Sequence, residues 1–263
     1  MRAHVSTFSE PKQGSSPSEC EDAAWVSPSG DREGEVVERA LRVVVADGAS
    51  ESLLAGRWAR WLTDAFGSTR KATTLRPGFL RAYRNATEGW GAEIDRYVEE
   101  RDRQGKPIAW YEEPGLVKGA FSTVLSVELA RTSDLGGWWR AAAVGDSCVF
   151  QVRNECVLRS FPLDNADAFS NYPPLLPSCA AADDTVLRNV AVLRGLWEPG
   201  DDFYIMTDAL AVWFLRANSY RYRPWDPIRD LQTPLHFSSW VNCKRDEGEL
   251  RNDDTTLVRV DIF

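Results

Sequence analysis

The sequence predicts an α+β fold in which antiparallel strands and amphipathic helices occupy separate stretches of the chain. Apolar residues recur at helical spacing over 52–67 and 77–104, which indicates two amphipathic helices. Between 119 and 161 the pattern changes to short β-rich runs divided by tight turns. With 43% hydrophobic and 27% charged residues, the 263-residue chain has the composition of a globular protein, and we expect a single domain over 1–263.

The N-terminal part of the chain is predicted to form strands before the first helix. Short strands are expected at 3–8 and 22–27, on either side of a loop at 9–20 that is rich in Ser, Pro and Gly. Residues 40–46, ALRVVVA, form a β-branched apolar run that ends at Asp47, as is typical of a buried strand. Acidic residues therefore fall at strand ends.

The C-terminal half is predicted to begin with strands and to continue with helices. The runs FSTVLSVELA, GGWWRAAAVGDS, CVFQVR and CVLRSF indicate an antiparallel meander between 119 and 161. A Pro-rich stretch at 162–185 is interpreted as a long loop, of a kind that is often functional. Beyond it the sequence predicts, in order, a strand at 186–193, a strand within DDFYIMTDA, helices at 208–218 and in parts of 225–250, and a final strand TLVRVDIF.

Charge and cysteine content exclude several classes of function. The formal net charge is −8 and the pI is about 5.0, so no global positive field attracts nucleic acid or an anionic membrane surface. No uncharged apolar run approaches the roughly 20 residues that span a bilayer, and the N-terminus lacks a signal-peptide core. Five cysteines without a CxxC pair favour reduced thiols. We expect a soluble cytoplasmic protein with no nucleic-acid and no membrane partner.

The scarcity of histidine excludes further chemistry. Only His4 and His236 occur, so a zinc site with three histidines is impossible. Any Ser-His or Cys-His nucleophile would need one of these two as its base, and neither lies beside a GxSxG turn. We interpret His236, in the helical stretch PLHFSSWV, as a structural residue.

Acidic residues at predicted strand ends are the candidate functional groups. Magnesium and manganese prefer carboxylate and carbonyl oxygens, and separate carboxylates that a fold brings together hold one or two such ions. Aspartates that cap turns are the alternative, and spacing alone leaves both interpretations open. The candidates are Glu21-Asp22 in SECEDAAW, Asp47-Gly48 in VVVADGASES, Asp146 in AVGDSCVF, Asp208 in YIMTDALA and Asp253-Asp254 in RNDDTTLVRV.

The order of these blocks carries more information than their spacing. EDA, ADGASES, AVGDSC, TDALA and DDTTL, in this order, resemble the type-2C metal-dependent Ser/Thr protein phosphatases (the PPM family), and bacterial members above all. The resemblance extends over 1–263. It implies a four-layer α/β/β/α sandwich, with two antiparallel sheets flanked by helices on both outer faces. The predicted order of helices, strands and helices agrees with that architecture.

The resemblance also implies a site for two divalent ions, Mn²⁺ or Mg²⁺. By motif position, Glu21 would bind one ion, Asp47 would bridge both and Gly48 would lend its carbonyl. Asp208 and Asp253 would hold the other ion. Two such ions activate a shared water for in-line attack on a phosphomonoester, so neither a protein nucleophile nor a histidine is needed.

Catalytic roles follow from the same resemblance. Asp47 and Asp208 would act through the metal ions, and Asp22 would orient a metal-bound water. A third ion in some family members uses the aspartate of VGDS, which is Asp146 here, but the corresponding later aspartate is Val212. Asp146 is therefore either a ligand of a weakly held third ion or a turn residue.

The chain departs from the family at positions that contact substrate. Many members carry a phosphate-binding arginine four residues before the glutamate of the ED motif, and this chain has Pro17 there. A proline does not replace a guanidinium, so either Lys12 takes the role or affinity for the phosphoester falls. Ala49 stands where animal enzymes often have a histidine that protonates the leaving group. No substrate-binding residue is assigned.

Three functions are consistent with these residues, and one of them is hydrolysis of a small phosphorylated metabolite or nucleotide. The other two concern proteins. The first is a metal-dependent phosphoserine/phosphothreonine protein phosphatase in signalling, with a phosphorylated protein as substrate and a cognate Ser/Thr kinase as a possible partner. The second is a catalytically weak pseudophosphatase or interaction module, which Pro17, Ala49 and Val212 favour. The basic cluster Arg216, Arg221 and Arg223 is interpreted either as a solvated helix end or as an element that positions a phosphopeptide.

Overall fold

Two antiparallel β-sheets form the centre of the computed structural model, which describes residues 1–27, 34–133 and 135–263. The strands are β1 (Arg2–Glu10), β2 (Asp22–Val26), β3 (Gly34–Val37), β4 (Ala40–Asp47), β5 (Phe121–Ser122), β6 (Val124–Ser133), β7 (Gly136–Val144), β8 (Cys148–Arg153), β9 (Cys156–Phe161), β10 (Leu176–Pro177), β11 (Ala191–Trp197), β12 (Asp202–Met206) and β13 (Thr255–Ile262). The α-helices are α1 (Ala55–Ser68), α2 (Arg76–Arg103), α3 (Glu113–Lys118), α4 (Asp183–Asn189), α5 (Asp208–Ser219), α6 (Trp225–Arg229) and α7 (Pro234–Asp246).

The strand order defines two large sheets and one small one. The six-stranded sheet has the order β3-β1-β13-β12-β8-β9, and the five-stranded sheet has the order β11-β7-β6-β4-β2. β5 and β10 form a two-stranded ribbon. Each pairing between described strands is antiparallel.

Both faces of the central strands are buried, which explains their continuous apolar runs. In β4, Val43 and Val45 belong to the core between the two sheets, whereas Val44 faces the layer of α1 and α2. In β12, Ile205 belongs to the same inner core, and Met206 faces the helices on the other side. The predicted four-layer α/β/β/α sandwich is therefore confirmed.

The two helical layers are attached by large apolar side chains. Trp58 and Phe66 of α1 pack with Phe79 of α2 over the five-stranded sheet. Phe214 of α5 and Phe237 of α7 pack over the six-stranded sheet. None of the helices among the described residues combines the length and the apolar character that crossing a bilayer requires.

The predicted meander between 119 and 161 is wrong in one respect, because it is divided between the sheets. β6 pairs with β7 in the five-stranded sheet, and β8 pairs with β9 in the six-stranded sheet. The chain changes sheet at Gly145, whose φ is +106°, and at Asp146. An apolar run that is buried on both faces looks the same in either sheet, so the pattern could not reveal this crossing.

The segment after the meander also differs from its prediction. The predicted strand at 186–193 is wrong, because α4 runs to Asn189 and β11 starts at Ala191. Asp183 and Asp184 favour a helix start, since acidic side chains stabilise the first turn. The predicted loop at 162–185 contains β10, the start of α4 and a short 3-10 helix at Ala166–Ala168. The sequence interpretation also missed β3 and α3.

Candidate functional site

The acidic residues predicted from the sequence meet at one end of the sandwich. Asp22 is the first residue of β2, and Asp47 is the last residue of β4. Asp208 begins α5 directly after β12, and Asp253 lies just before β13. Because β2 and β4 belong to one sheet and β12 and β13 to the other, the site straddles both sheets. Asp47, Asp146, Asp208 and Asp253 line a cleft of about 430 Å³ at this end.

Asp22 and Asp47 are direct cross-strand partners in the β2–β4 pair. Two like charges in this arrangement repel each other. Burial, and then repulsion from Asp22 and three further acids, raise the pKa of Asp47 well above its usual range. Burial likewise raises the pKa of Asp22, although the hydroxyl of Thr207 donates a hydrogen bond of 2.9 Å to its Oδ2. A cation between them would relieve this repulsion.

Asp146 and Asp208 also line the cleft. Asp146 lies in the turn that joins β7 to β8, and its side chain is buried. Burial, and then the negative charge of Asp208, raise the pKa of Asp146 to about 7. Burial also raises the pKa of Asp208, although the charge of Arg251 opposes this shift. The structure therefore places Asp146 at a turn and in the cleft at once, so neither of the two sequence interpretations excludes the other.

Gly48 allows the end of β4 to approach the first residue of α1 and the residue before β2 closely. Its backbone N–H donates to the carbonyl of Glu21 at 3.2 Å. A Cβ at this position would lie 2.7 Å from the carbonyl carbon of Ala55 and 2.9 Å from the carbonyl oxygen of Glu21. Glycine is therefore required by contact with neighbouring backbone, and this contact fixes Gly48 beside Glu21.

Asp254 is a residue whose role the sequence interpretation missed. Its buried carboxylate accepts hydrogen bonds from the backbone N–H groups of Lys12 at 2.8 Å and Glu21 at 2.7 Å. Asp254 therefore ties the loop after β1 and the residue before β2 to the start of β13. The pair Asp253-Asp254 was visible in the sequence, but the sequence alone does not indicate which of the two faces the cleft.

Two basic side chains contact the acidic cluster. Arg251 donates to the carboxylate of Asp208 and to Oδ2 of Asp253 at 3.1 Å, and its side chain remains 47% exposed. The Nζ atom of Lys12 lies 3.2 Å from Oε2 of Glu21. Lys12 is the base that the sequence suggests near the substrate, whereas no sequence pattern singles out Arg251.

The donor groups fit a hard divalent cation. One carboxylate oxygen of each of Asp22, Asp146 and Asp208 is buried without a hydrogen-bond partner. Oxygen-rich sites with several carboxylates are those that Mg²⁺ and Mn²⁺ prefer. Within the described ranges, no three His, Cys, Asp or Glu side chains already converge on a single point at metal-binding geometry. Instead, Arg251 pairs with Asp208 and Asp253, and Lys12 pairs with Glu21. These pairings are consistent with carboxylates that have not converged on one point.

The cleft is not lined by Pro17 or Val212, which depart from the family pattern, or by either histidine. Pro17 is exposed and begins a short 3-10 helix, Pro17–Glu19. Val212 lies one turn along α5 from Asp208 and lines a neighbouring depression. His4 is in β1 and His236 is on the exposed surface of α7, and neither lines the cleft.

Comparisons with known proteins agree with this arrangement. The profile of the protein phosphatase 2C family matches residues 18–251. None of the curated proteins is significantly similar to the chain in sequence. The structure is similar to the Mycobacterium tuberculosis serine/threonine phosphatase PstP/Ppp, with 14% identity, a TM-score of 0.54 and coverage of 100% of this chain and 99% of that chain.

Two further solved structures give the same result. The S. agalactiae serine/threonine phosphatase is 14% identical, with a TM-score of 0.57 and coverage of 99% of this chain and 100% of that chain. The catalytic domain of PstP in complex with two manganese ions is 13% identical, with a TM-score of 0.56 and coverage of 99% and 98%. At these identities the likeness shows a shared fold. Since the family profile matches most of its length, the chain belongs to the protein phosphatase 2C family.

Proposed function

We propose that the protein is a metal-dependent phosphatase of phosphoserine and phosphothreonine in proteins. The observation that carries the proposal is the meeting of Asp22, Asp47, Asp146 and Asp208 at one end of the sandwich, with unbonded buried oxygens on three of them. Membership of the protein phosphatase 2C family supports the same reaction class. Like charges at this density have a structural cost, and a cation-dependent function accounts for it.

The residues proposed to hold two Mn²⁺ or Mg²⁺ ions are Glu21, Asp47, the carbonyl of Gly48, Asp208 and Asp253. Asp146 faces the same cleft and is proposed as a ligand of a further, weaker ion. When bound, such ions neutralise phosphate oxygens and lower the pKa of water. A known family structure with two manganese ions supports this assignment by analogy.

The protein's own side chains have distinct tasks in this proposal. The Thr207 hydroxyl fixes Oδ2 of Asp22, whereas the buried Oδ1 has no hydrogen-bond partner, and we assign to Asp22 the orientation of a water beside the ions. Asp254 positions Glu21 through its backbone N–H. Arg251 is half exposed at the cleft wall and pairs with Asp208 and Asp253, and we propose that its guanidinium turns to the phosphate of a substrate once cations occupy these carboxylates.

The test measures phosphate release from p-nitrophenyl phosphate and from a phosphothreonine peptide, with Mn²⁺, with Mg²⁺ and with chelator. We expect metal-dependent release that Asp208→Asn lowers at least about 100-fold, because the variant loses a charged metal ligand. Asp230→Asn, at an exposed aspartate outside the cleft, is the matched control and should retain activity. Equal activity in Asp208→Asn and wild type would remove the proposed site.

A second candidate is a binding module with little turnover. Its motivating observation is the contact of Arg251 with both Asp208 and Asp253, since the guanidinium competes with a cation for these carboxylates. Titration calorimetry with Mn²⁺ separates the two functions. Binding at two sites in the micromolar range supports the phosphatase, whereas no binding up to millimolar Mn²⁺ supports the module. Tighter binding in Arg251→Gln would identify the guanidinium as the competitor.

A further inference from the structure

A groove continues from the acidic cleft along one side of α5. The cleft shares Ser170, Asn171 and Arg251 with a second depression of about 230 Å³. That depression shares Arg216 and Glu249 with a third one of about 860 Å³. Because neighbouring depressions share wall residues, they adjoin one another from Asp208 to the far end of α5, and together they are called the groove.

The far end of the groove combines aromatic and basic side chains. Tyr220 is 76% exposed and Tyr222 is 70% exposed, and both line the third depression. Trp213 contributes a mostly buried ring to the same wall. Exposed tyrosines are enriched where proteins bind other chains, because the ring supplies apolar area at a low cost in conformational entropy.

Two arginines of the groove have no partner among the residues that the structure describes. Among the described residues, Arg216 and Arg221 make no ion pair and no side-chain hydrogen bond, although both are exposed and line the groove. By contrast, Arg223 pairs with Glu155, and Lys244 pairs with Glu247 and Glu249. In a chain with a net charge of −8, the two unpaired guanidinium groups form a local positive site.

We propose that this groove binds the part of a phosphoprotein substrate that flanks the phosphorylated residue, and that Arg216 and Arg221 select acidic side chains there. The inference rests on the proposed phosphatase function and names its substrate class. Nucleic acid is disfavoured as the occupant because the protein's net charge of −8 repels a polyanion more strongly than a peptide with a few acidic side chains.

Helix geometry gives the spacing of the selected positions. Arg216 lies eight residues beyond Asp208 on α5, and a rise of about 1.5 Å per residue separates them by roughly 12 Å. An extended peptide covers about 3.3 Å per residue, so Arg216 lies about four residues from the phosphorylated one. Arg221, beyond the end of α5, lies farther along the groove. Acidic residues about four to six positions away, on one side only, are therefore favoured.

The experiment compares kcat/KM for three phosphothreonine peptides. One carries Glu at the fourth to sixth positions before the phosphothreonine, one carries Glu at the same distances after it, and one carries Gln throughout. We expect wild type to prefer one acidic peptide over the Gln peptide by about fivefold, as two exposed charge pairs would give. The Arg216→Gln/Arg221→Gln variant should lose this preference. Arg70→Gln, an exposed arginine outside the groove, should keep it.

Failure of the inference and failure of the proposed function give different results. If wild type turns over p-nitrophenyl phosphate but treats the three peptides alike, the groove assignment is wrong. If wild type has no turnover, fluorescence anisotropy with the same peptides in chelator still tests the groove, and equal affinities would overturn it. Preference retained in the double variant would exclude Arg216 and Arg221. Displacement of the acidic peptide by a single-stranded oligonucleotide of equal charge at equal concentration would also overturn it.

Discussion

At the scale of single residues, the facing carboxylates of Asp22 and Asp47 serve the proposed function at the expense of the stability of the fold. The two carboxylates are cross-strand partners, and repulsion from Asp22 contributes to the raised pKa of Asp47. In chelator, Asp47→Asn should therefore increase the free energy of unfolding by about 1 kcal/mol, because it removes one of two opposed charges. Urea denaturation with Asp230→Asn as the control measures this. A loss of stability in chelator would contradict the prediction.

Gly48 gives a second prediction at this scale. A Cβ there would lie within 2.9 Å of the backbone of Glu21 and Ala55, so Gly48→Ala must displace the backbone at the start of α1 or before β2. We expect a loss of about 1–3 kcal/mol in the free energy of unfolding, together with weaker Mn²⁺ binding. Gly91→Ala in α2 is the control, since a Cβ there meets no atom within 4 Å and alanine favours a helix. Equal effects of the two substitutions on urea denaturation would be evidence against the packing argument.

At the scale of elements, Arg42 of β4 joins a sheet to a helix. Its guanidinium donates to the carbonyls of Phe66 at 3.0 Å and Thr69 at 2.6 Å, at the end of α1, and pairs with Glu128 of β6 at 2.7 Å. Both charged side chains are largely buried, so Arg42→Met leaves Glu128 without its counter-ion. We expect a loss of about 3 kcal/mol in the free energy of unfolding.

The exposed ion pair of Arg2 with Glu35 supplies the control for that prediction. Its two side chains are 66% and 54% exposed, so Arg2→Met should cost less than about 1 kcal/mol. Urea denaturation of the two variants at the same pH and salt makes the comparison. A similar loss in both would mean that burial does not determine the contribution of Arg42.

Sequence patterns predicted most helices and strands, because the spacing of apolar residues along the chain follows which side chains are buried. The run at 40–46 became β4, and the amphipathic stretch at 77–104 became α2. The same signal failed at 186–193, where β11 is an edge strand with little buried surface and α4 is short. It also could not assign β7 and β8 to different sheets, since sheet membership depends on long-range pairing.

The candidate site was predictable to the extent that its residues are acidic and end strands. The register that opposes Asp22 to Asp47 was not predictable, because it depends on how two strands separated in sequence align. The contacts of Arg251 and Asp254 were equally hidden, since they connect residues that only the folded chain brings together. The metal-binding and catalytic roles of these residues remain predictions.

At the scale of the whole molecule, the proposed ligands connect parts of the chain that are distant in sequence. Glu21 precedes β2 and Asp47 ends β4 in one sheet, whereas Asp208 and Asp253 flank strands of the other. β1 also pairs with β13, so the N- and C-terminal strands share a sheet. The single domain over 1–263 stays a prediction.

Because the ligands come from both sheets, metal binding should stabilise the entire fold. A ligand that binds only the folded state adds about 2.7 kcal/mol to the free energy of unfolding at a concentration 100 times its Kd. We therefore expect Mn²⁺ to raise the urea midpoint of wild type in proportion to the logarithm of its concentration above Kd. Asp208→Asn should lose most of this response, whereas Asp230→Asn should retain it. An unchanged midpoint of wild type at millimolar Mn²⁺ would mean that the opposed carboxylates are not held for a metal, and the binding module would become the better account of the site.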